Sequence, residues 1–175
     1  MRVKPTIMVK RPGACSEKEI DAFAAFVRAG NETAEHGLER RIGRARNLVF
    51  LLAGGCLEGI AAVKTPAPSY HAHVFGKAAA AQRMADFPLE FGWLFVEPGA
   101  RGRGHGHRLL AVALDLAAGA GLFATAREDN AAMRHLAEAH GLVAMGRPFR
   151  SLRGDYRLAL YGSGGHVEEQ ELGVL

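Results

Sequence analysis

The sequence predicts one α/β domain, and three observations carry that prediction. Segments with helical spacing alternate with segments of strand character along the chain. Leu48 to Leu52 and Leu57 to Val63 flank Gly54-Gly55, a pair that supplies positive φ in a two-residue turn, so they read as adjacent antiparallel strands. Leu89 to Val96 is apolar on both faces, as a central strand is, and leads through a glycine-rich turn into apolar residues at helical spacing. A length of 175 residues suffices for one sizeable core and is short for two.

The elements follow in order. Thr6 to Lys10 is a short strand. Ser16-Glu17-Lys18-Glu19 matches a capping box, in which the Ser16 hydroxyl and Glu19 carboxylate satisfy the first amides of a helix. Ile20, Phe23, Ala24 and Val27 fall on one face of that helix, Gly30-Asn31 ends it, and a second helix covers Thr33 to Arg44. After the hairpin, Lys64 to Pro88 interrupts the alternation with Pro66 and Pro68. It reads as an insertion with a short helix around Lys77 to Ala85, and connections this long tend to be lids or binding loops.

Strict alternation along Leu89 to Val96 puts Leu89, Phe91, Trp93 and Phe95 on one face and Glu90, Gly92, Leu94 and Val96 on the other. Pro98 ends the strand because proline has no N–H for the ladder. Leu109, Val112, Ala113, Leu116 and Ala120 then form a helical stripe, and Leu122 to Thr125 is the next strand. Asp129 or Asn130 caps a helix reaching about His140, with Met133, Leu136 and Ala137 inward and Gly141 as its stop. Leu142 to Phe149 and Tyr156 to Tyr161 form a last hairpin around Arg153-Gly154, and Gly162 to Leu175 reads as a loose tail.

Composition narrows the function classes. No run is long and apolar enough for a membrane span, and Met1 to Pro12 holds basic residues with no apolar stretch behind them, so the cytoplasm is the expected location. Cys15 and Cys56 are too few for a disulfide framework or a structural zinc site and read as buried thiols. A net charge of +4 suits an anionic ligand, and Arg40, Arg41, Arg44 and Arg46 add a basic face. No aromatic residues interleave with that run to stack on bases, so nucleic acid is not the expected partner.

The informative segment joins the central strand to the long helix: Val96-Glu97-Pro98-Gly99-Ala100-Arg101-Gly102-Arg103-Gly104-His105-Gly106-His107. Alternating glycines expose backbone amides at a helix N-terminus, where the dipole is positive and absent Cβ atoms let phosphate oxygens approach. No Gly-Lys-Ser/Thr follows, as a P-loop requires, and the glycine spacing is not Gly-x-Gly-x-x-Gly with an acidic residue about twenty positions on. A nucleotidase or a dehydrogenase is thereby disfavoured.

A strand, then Val-x-Pro, then Arg-x-x-Gly-x-Gly and a helix resembles motif A of the GNAT superfamily of N-acetyltransferases. Asp129-Asn130 followed by Leu136 to Gly141-Leu142 is similar to motif B, and the order of elements fits through Tyr161. The resemblance implies a GNAT fold: a mixed, mostly antiparallel sheet with helices on both faces, splayed between the Glu90 strand and the Leu122 strand where the coenzyme's arm inserts. It implies a single domain over 1–161, with 64–88 on the substrate side and 162–175 as a flexible tail. It also implies acetyl-CoA as cosubstrate, with pyrophosphate on the amides of Arg101, Gly102, Arg103, Gly104, His105 and Gly106. By the same resemblance, backbone at Leu94 and Val96 binds pantetheine and polarises the thioester, and Asn130 helps to hold the pantetheine arm.

The reaction needs a neutral amine, because an ammonium has no lone pair with which to attack a thioester carbon. Glu90 is the candidate base. Its side chain is expected on the face of Leu94 and Val96, and several family members, histone acetyltransferases among them, carry a glutamate at the matching position. The family's motif B tyrosine falls instead at Ala137 or Leu136, neither of which donates a proton, so Tyr70, Tyr156 or water is left to protonate the leaving thiolate. His71 and His73, and His105 and His107, are not expected to bind metal, since no third ligand stands at useful spacing. The implied function is acetyl transfer from acetyl-CoA to a primary amine, on a small molecule or a peptide, in a direct ternary complex. A homodimer is compatible with this reading. Two alternatives stand beside it: an inactive CoA-binding regulatory module, suggested by the missing tyrosine, and a toxin of the same family that acetylates aminoacyl-tRNA, suggested by the basic run.

Overall fold

A computed structural model describes residues 3–164, which form one seven-stranded sheet with five α-helices. In chain order the elements are β1 (Thr6–Lys10), α1 (Glu17–Gly30), α2 (Leu38–Gly43), β2 (Asn47–Ala53), β3 (Cys56–Lys64), α3 (Pro68–Lys77), β4 (Leu89–Val96), α4 (His105–Ala117), β5 (Leu122–Arg127), α5 (Ala131–Ala139), β6 (Leu142–Arg150) and β7 (Arg157–Ser163). The sheet order is β1-β2-β3-β4-β5-β7-β6. Every neighbouring pair is antiparallel except β4 and β5, which α4 connects in parallel. The mixed, mostly antiparallel sheet is therefore as the sequence predicts.

The local rules hold where the signal is strong. Ser16 Oγ accepts from Glu19 N at 3.2 Å while Ser16 N donates to Glu19 Oε2 at 2.9 Å, which completes the capping box of α1. Asn130, not Asp129, caps α5, its Oδ1 accepting from Met133 N at 2.9 Å. Four expectations fail. The second helix spans only Leu38–Gly43, because α2 opens at Gly37 in the left-handed region and none of residues 32–37 before it is buried. The helix of the 64–88 segment is Pro68–Lys77, started by a proline at its first turn, and Ala81–Asp86 is a 3₁₀ turn. Cys56 is exposed in the β2–β3 hairpin and Cys15 is half-buried, so neither is a core thiol. The last strand runs two residues past Tyr161, so Gly162 and Ser163 belong to the sheet, while 165–175 of the expected tail lie outside the described residues.

Two layers cover the sheet. On one face α4 and α5 bury Leu109, Leu110, Ala113, Met133 and Ala137 against Leu89, Phe91, Leu122 and Ala124. On the other, α1 and α2 bury Phe23, Val27 and Ile42 against Phe50 and Ile60, with Trp93 and Phe95 packed on them. The 64–88 segment is a wall of that second face and not a loose lid: Val74, Phe75, Ala78 and Phe87 are buried against Phe123 and Leu160.

One feature of β4 overturns the predicted alternation. Gly92 pairs with Ala62 and Phe95 with Ile60, so two residues, Trp93 and Leu94, stand opposite Ala61 in a β-bulge. Trp93 takes φ +54°, an uncommon conformation for a bulky residue. The extra residue inverts the side-chain parity. Leu94 and Val96 join Leu89 and Phe91 on the α4 face, whereas Trp93 and Phe95 face α1. Glu90 lies opposite Leu89 and Phe91, and so opposite Leu94 and Val96.

Candidate active site

The site begins where β4 and β5 part. They pair only at Leu89 with Leu122 and Glu90 with Phe123. Beyond Glu90 the β5-facing edge of β4 has no strand partner, although β3 continues to pair along its other edge through Val96. Unpaired strand groups are ready hydrogen-bonding sites for an extended ligand. Leu94 and Val96 lie on this stretch, but the Val96 carbonyl already accepts from Arg101 Nε at 2.9 Å, and the Arg101 guanidinium sits 5.6 Å over the Phe95 ring. The Arg101 side chain thus fastens the end of β4.

The open edge leads to the start of α4. Gly102 and Gly104 both take φ +76°, where other residues are strained, and Gly104 is an N-cap without any side-chain cap. The first backbone bond of α4 comes from Arg108 N to Gly104 O, leaving the amides of His105, Gly106 and His107 at the mouth of the helix. Nothing lies within 4 Å of a Cβ placed at Gly102 or Gly104, so the approach is open. This cradle fits an anionic pyrophosphate.

The side chains of the loop turn away from the cradle. His105 is 5% exposed, with Nε2 2.9 Å from Glu58 Oε2, and Arg103 Nη1 lies 3.5 Å from Glu58 Oε1. Nε2 therefore carries the proton and donates to the carboxylate, which ties the turn to β3. The side chains of Arg101, Arg103 and His105 are thus engaged with β3 and β4, and the expectation at these positions concerns their backbone amides.

At the closed end of the cleft, Glu90 is buried and doubly engaged. Tyr70 of α3 donates its hydroxyl proton to Glu90 Oε1 at 3.0 Å, and Lys64 Nζ lies 3.2 Å from Oε2. Burial pushes the Tyr70 phenol above the usual tyrosine range, and the charge of Glu90 and the hydrogen bond to it add to the rise; a contact with the Thr125 hydroxyl opposes it. Tyr70 as a residue is 39% exposed, so solvent moderates the effect. The phenol is protonated at neutral pH. Lys64 Nζ also lies 4.6 Å from the centre of the Trp93 ring. The missing side chain of Gly92 makes this possible: a Cβ there would stand 2.5 Å from Lys64 Cε and 2.8 Å from Nζ.

The remaining candidates are dispersed. Asn130 is exposed, and its Oδ1 is spent on the α5 cap, which leaves its amide NH₂ for a ligand. The Tyr156 ring lies 3.9 Å under the Arg127 guanidinium in the β6–β7 region, with no hydrogen bond to Glu90. His71 stacks flat on Phe123 at 5.2 Å, and His107 Nδ1 meets His140 Nε2 at 3.1 Å. The Arg40 to Arg46 run divides: Arg41 donates to the carbonyls of Ala34 and His36, while Arg46 joins Arg11, Asn47 and Thr65 around a 460 Å³ cavity that includes none of the site residues. Sequence reasoning missed Lys64 and Glu58. The signal for Lys64 was its place at the end of a strand that pairs with β4, followed by Gly92; no sequence pattern marks Glu58.

Residues 69–142 match the acetyltransferase (GNAT) family. Solved structures share the fold. An acyl-CoA N-acyltransferase from Pseudomonas aeruginosa superposes with a TM-score of 0.68 at 15% identity, over 92% of this chain and 100% of that one. FeeM, an N-acyl amino acid synthase from uncultured soil microbes, gives 0.69 at 13% identity, over 92% of each chain. The yncA protein of Salmonella typhimurium, solved with its cofactor acetyl-CoA, gives 0.60 at 14% identity, over 89% of this chain and 92% of that one. No curated protein matches the chain by sequence. Among the described residues no helix is long and apolar enough to cross a membrane. The stretch that matches the GNAT family holds the β4 edge, the glycine cradle and α5, and the splayed seven-stranded sheet is the fold that those solved structures share.

Proposed function

We propose that the chain transfers an acetyl group from acetyl-CoA to a primary amine by direct attack in a ternary complex. The observation that carries this reading is the cleft itself, open beyond the Glu90–Phe123 pair, with a glycine cradle at one end and Glu90 with Tyr70 at the other. Acetyl-CoA supplies the activated acetyl thioester. The amides of Gly104 to Gly106 hold its pyrophosphate, and the free edge of β4 at Leu94 and Val96 aligns its arm, with Asn130 from the far side.

Glu90 takes a proton from the acceptor ammonium, Tyr70 gives one toward the departing thiolate, and the second proton lost from nitrogen leaves to solvent. The charge of Glu90 is among the causes that hold the Tyr70 proton in place, so protonation of Glu90 removes that cause and makes the phenol a better acid as the thiolate forms. The 3.0 Å hydrogen bond then lets the proton on Glu90 restore the phenol. Tyr70 supplies the donor that Ala137 lacks, which weakens the case for an inactive module. The acceptor approaches over the face of Glu90, so the 64–88 segment, with Tyr70, selects it. Free thiols at Cys15 and Cys56 and dependence on acetyl-CoA fit a cytoplasmic protein.

The test is calorimetric titration with acetyl-CoA together with thiol release over a panel of primary amines. Glu90→Gln should lower kcat/KM by roughly 10² to 10⁴ with acetyl-CoA affinity little changed. Binding without turnover on any amine would favour the inactive module, and steeply salt-dependent tRNA binding with acetylation of its aminoacyl group would favour the toxin.

A further inference from the structure

The amine nearest the candidate base belongs to the protein. Lys64 Nζ lies 3.2 Å from Glu90 Oε2 and 4.6 Å from the centre of the Trp93 ring, and its side chain is 21% exposed. Its path crosses β4 directly above Gly92, since a Cβ at that position would stand 2.8 Å from the nitrogen. Gly92 is two residues beyond the last β4–β5 pair, on the strand that borders the cleft. The ammonium thus occupies the ground that an acceptor amine must take, beside the carboxylate that would deprotonate it.

We propose that Lys64 is an internal acceptor whose ε-amine the chain acetylates in its own site. This rests on the proposed acetyl-CoA chemistry. The Lys64 ammonium passes one proton to Glu90, and neutral Nζ attacks the thioester carbonyl carbon. The N–C amide bond forms as the C–S bond breaks. The thiolate takes one proton, and the second proton lost from nitrogen leaves to solvent, so the products are Nε-acetyl-Lys64, CoA thiol and a proton. Acetylation removes the cation from Glu90 and leaves Tyr70 as the carboxylate's hydrogen-bond partner.

The other lysines differ. Lys4, Lys18 and Lys77 are exposed, and Lys10 is held by Glu19 at 2.7 Å. They report the background of uncatalysed acetylation in the same sample.

The experiment incubates the full chain with acetyl-CoA and follows each lysine by peptide mapping, with calorimetric binding of acetyl-CoA measured alongside. Lys64 should acquire one acetyl group faster than Lys4, Lys18 and Lys77, at a rate independent of protein concentration. Glu90→Gln should slow Lys64 by roughly 10² or more while the exposed lysines keep their rates. Gly92→Ala, which leaves the carboxylate in place but drives Lys64 off it, should slow Lys64 selectively as well. If acetyl-CoA binds but Lys64 reacts no faster than the exposed lysines, the inference is wrong and the proposed function survives. A rate that rises with protein concentration means that one chain acetylates another, and overturns the internal step. If acetyl-CoA does not bind, the proposed function falls and this inference falls with it.

Discussion

Replacing Tyr70 with phenylalanine removes one oxygen from the site and separates two roles for that residue. The hydroxyl donates to Glu90 at 3.0 Å, a hydrogen bond to a charged acceptor, and such bonds contribute about 1.5–3 kcal/mol. If Tyr70 only holds Glu90 in place, its loss should cost roughly 10- to 150-fold in kcat/KM, at about 1.4 kcal/mol per tenfold. If Tyr70 also protonates the thiolate, the loss extends into the range of roughly 10² to 10⁴. The ranges overlap, so the assay must vary the leaving group. Acetyl thioesters of increasingly acidic thiols need progressively less help from an acid, and the deficit of Tyr70→Phe should shrink along that series. A deficit that stays constant would make Tyr70 a positioning residue. Unaltered activity with every donor and at every pH would refute the assignment of Tyr70 altogether.

Three further outcomes are expected. Gly104→Glu places a non-glycine residue at φ +76°, costing about 1–2 kcal/mol in stability, and brings a carboxylate to the cradle; acetyl-CoA binding should be abolished by calorimetry in a variant whose circular dichroism is unchanged. Glu58→Gln weakens the tie between β3 and the cradle and leaves His105 facing a neutral partner, so Kd for acetyl-CoA should rise with little change in kcat at saturation. Burial, and then the neighbouring His107, hold His140 below its unfolded value of 6.5, so the unfolded chain binds the proton more readily and stability falls as pH drops below about 6.5; His140→Gln should flatten the decline in Tm between pH 7 and pH 5.

The fold was legible because most of its signals are local. A capping box, a Gly-Gly hairpin and helical stripes are each written within a dozen residues, and each appears where its spacing puts it, except that α4 stops at Ala117 and leaves Ala120 of its predicted stripe exposed beyond the helix. The glycine turn was legible for the same reason, since positive φ at Gly102 and Gly104 is a property of those positions. The 64–88 segment was read less well: Val74, Phe75 and Phe87 are buried only because Phe123 and Leu160 meet them from distant strands. Periodicity along β4 failed at Trp93, because a bulge is a relation between two strands and leaves no mark in one. Tyr70 was one of three sequence candidates for the acid, and only the placement of α3 beside β4 brings its hydroxyl to Glu90.

The bulge at Trp93 also explains how one strand serves two partners. Without it, Glu90, Leu94 and Val96 would share a face, and the base would compete with the α4 core for the same side of the sheet. With it, the Leu94 and Val96 side chains anchor in that core and hold the β4 edge rigid against the cleft, while Glu90 and Trp93 turn toward α1 and α3. A non-glycine residue in the left-handed region costs on the order of 1–3 kcal/mol, and here the edge-to-face packing of Trp93 on Phe23 at 5.9 Å, with the Lys64 ammonium over its ring, helps to offset the strain. Under the proposed function the bulge gives coenzyme and acceptor opposite sides of one strand, with the thioester between them, which is the geometry that direct transfer without a covalent enzyme intermediate requires.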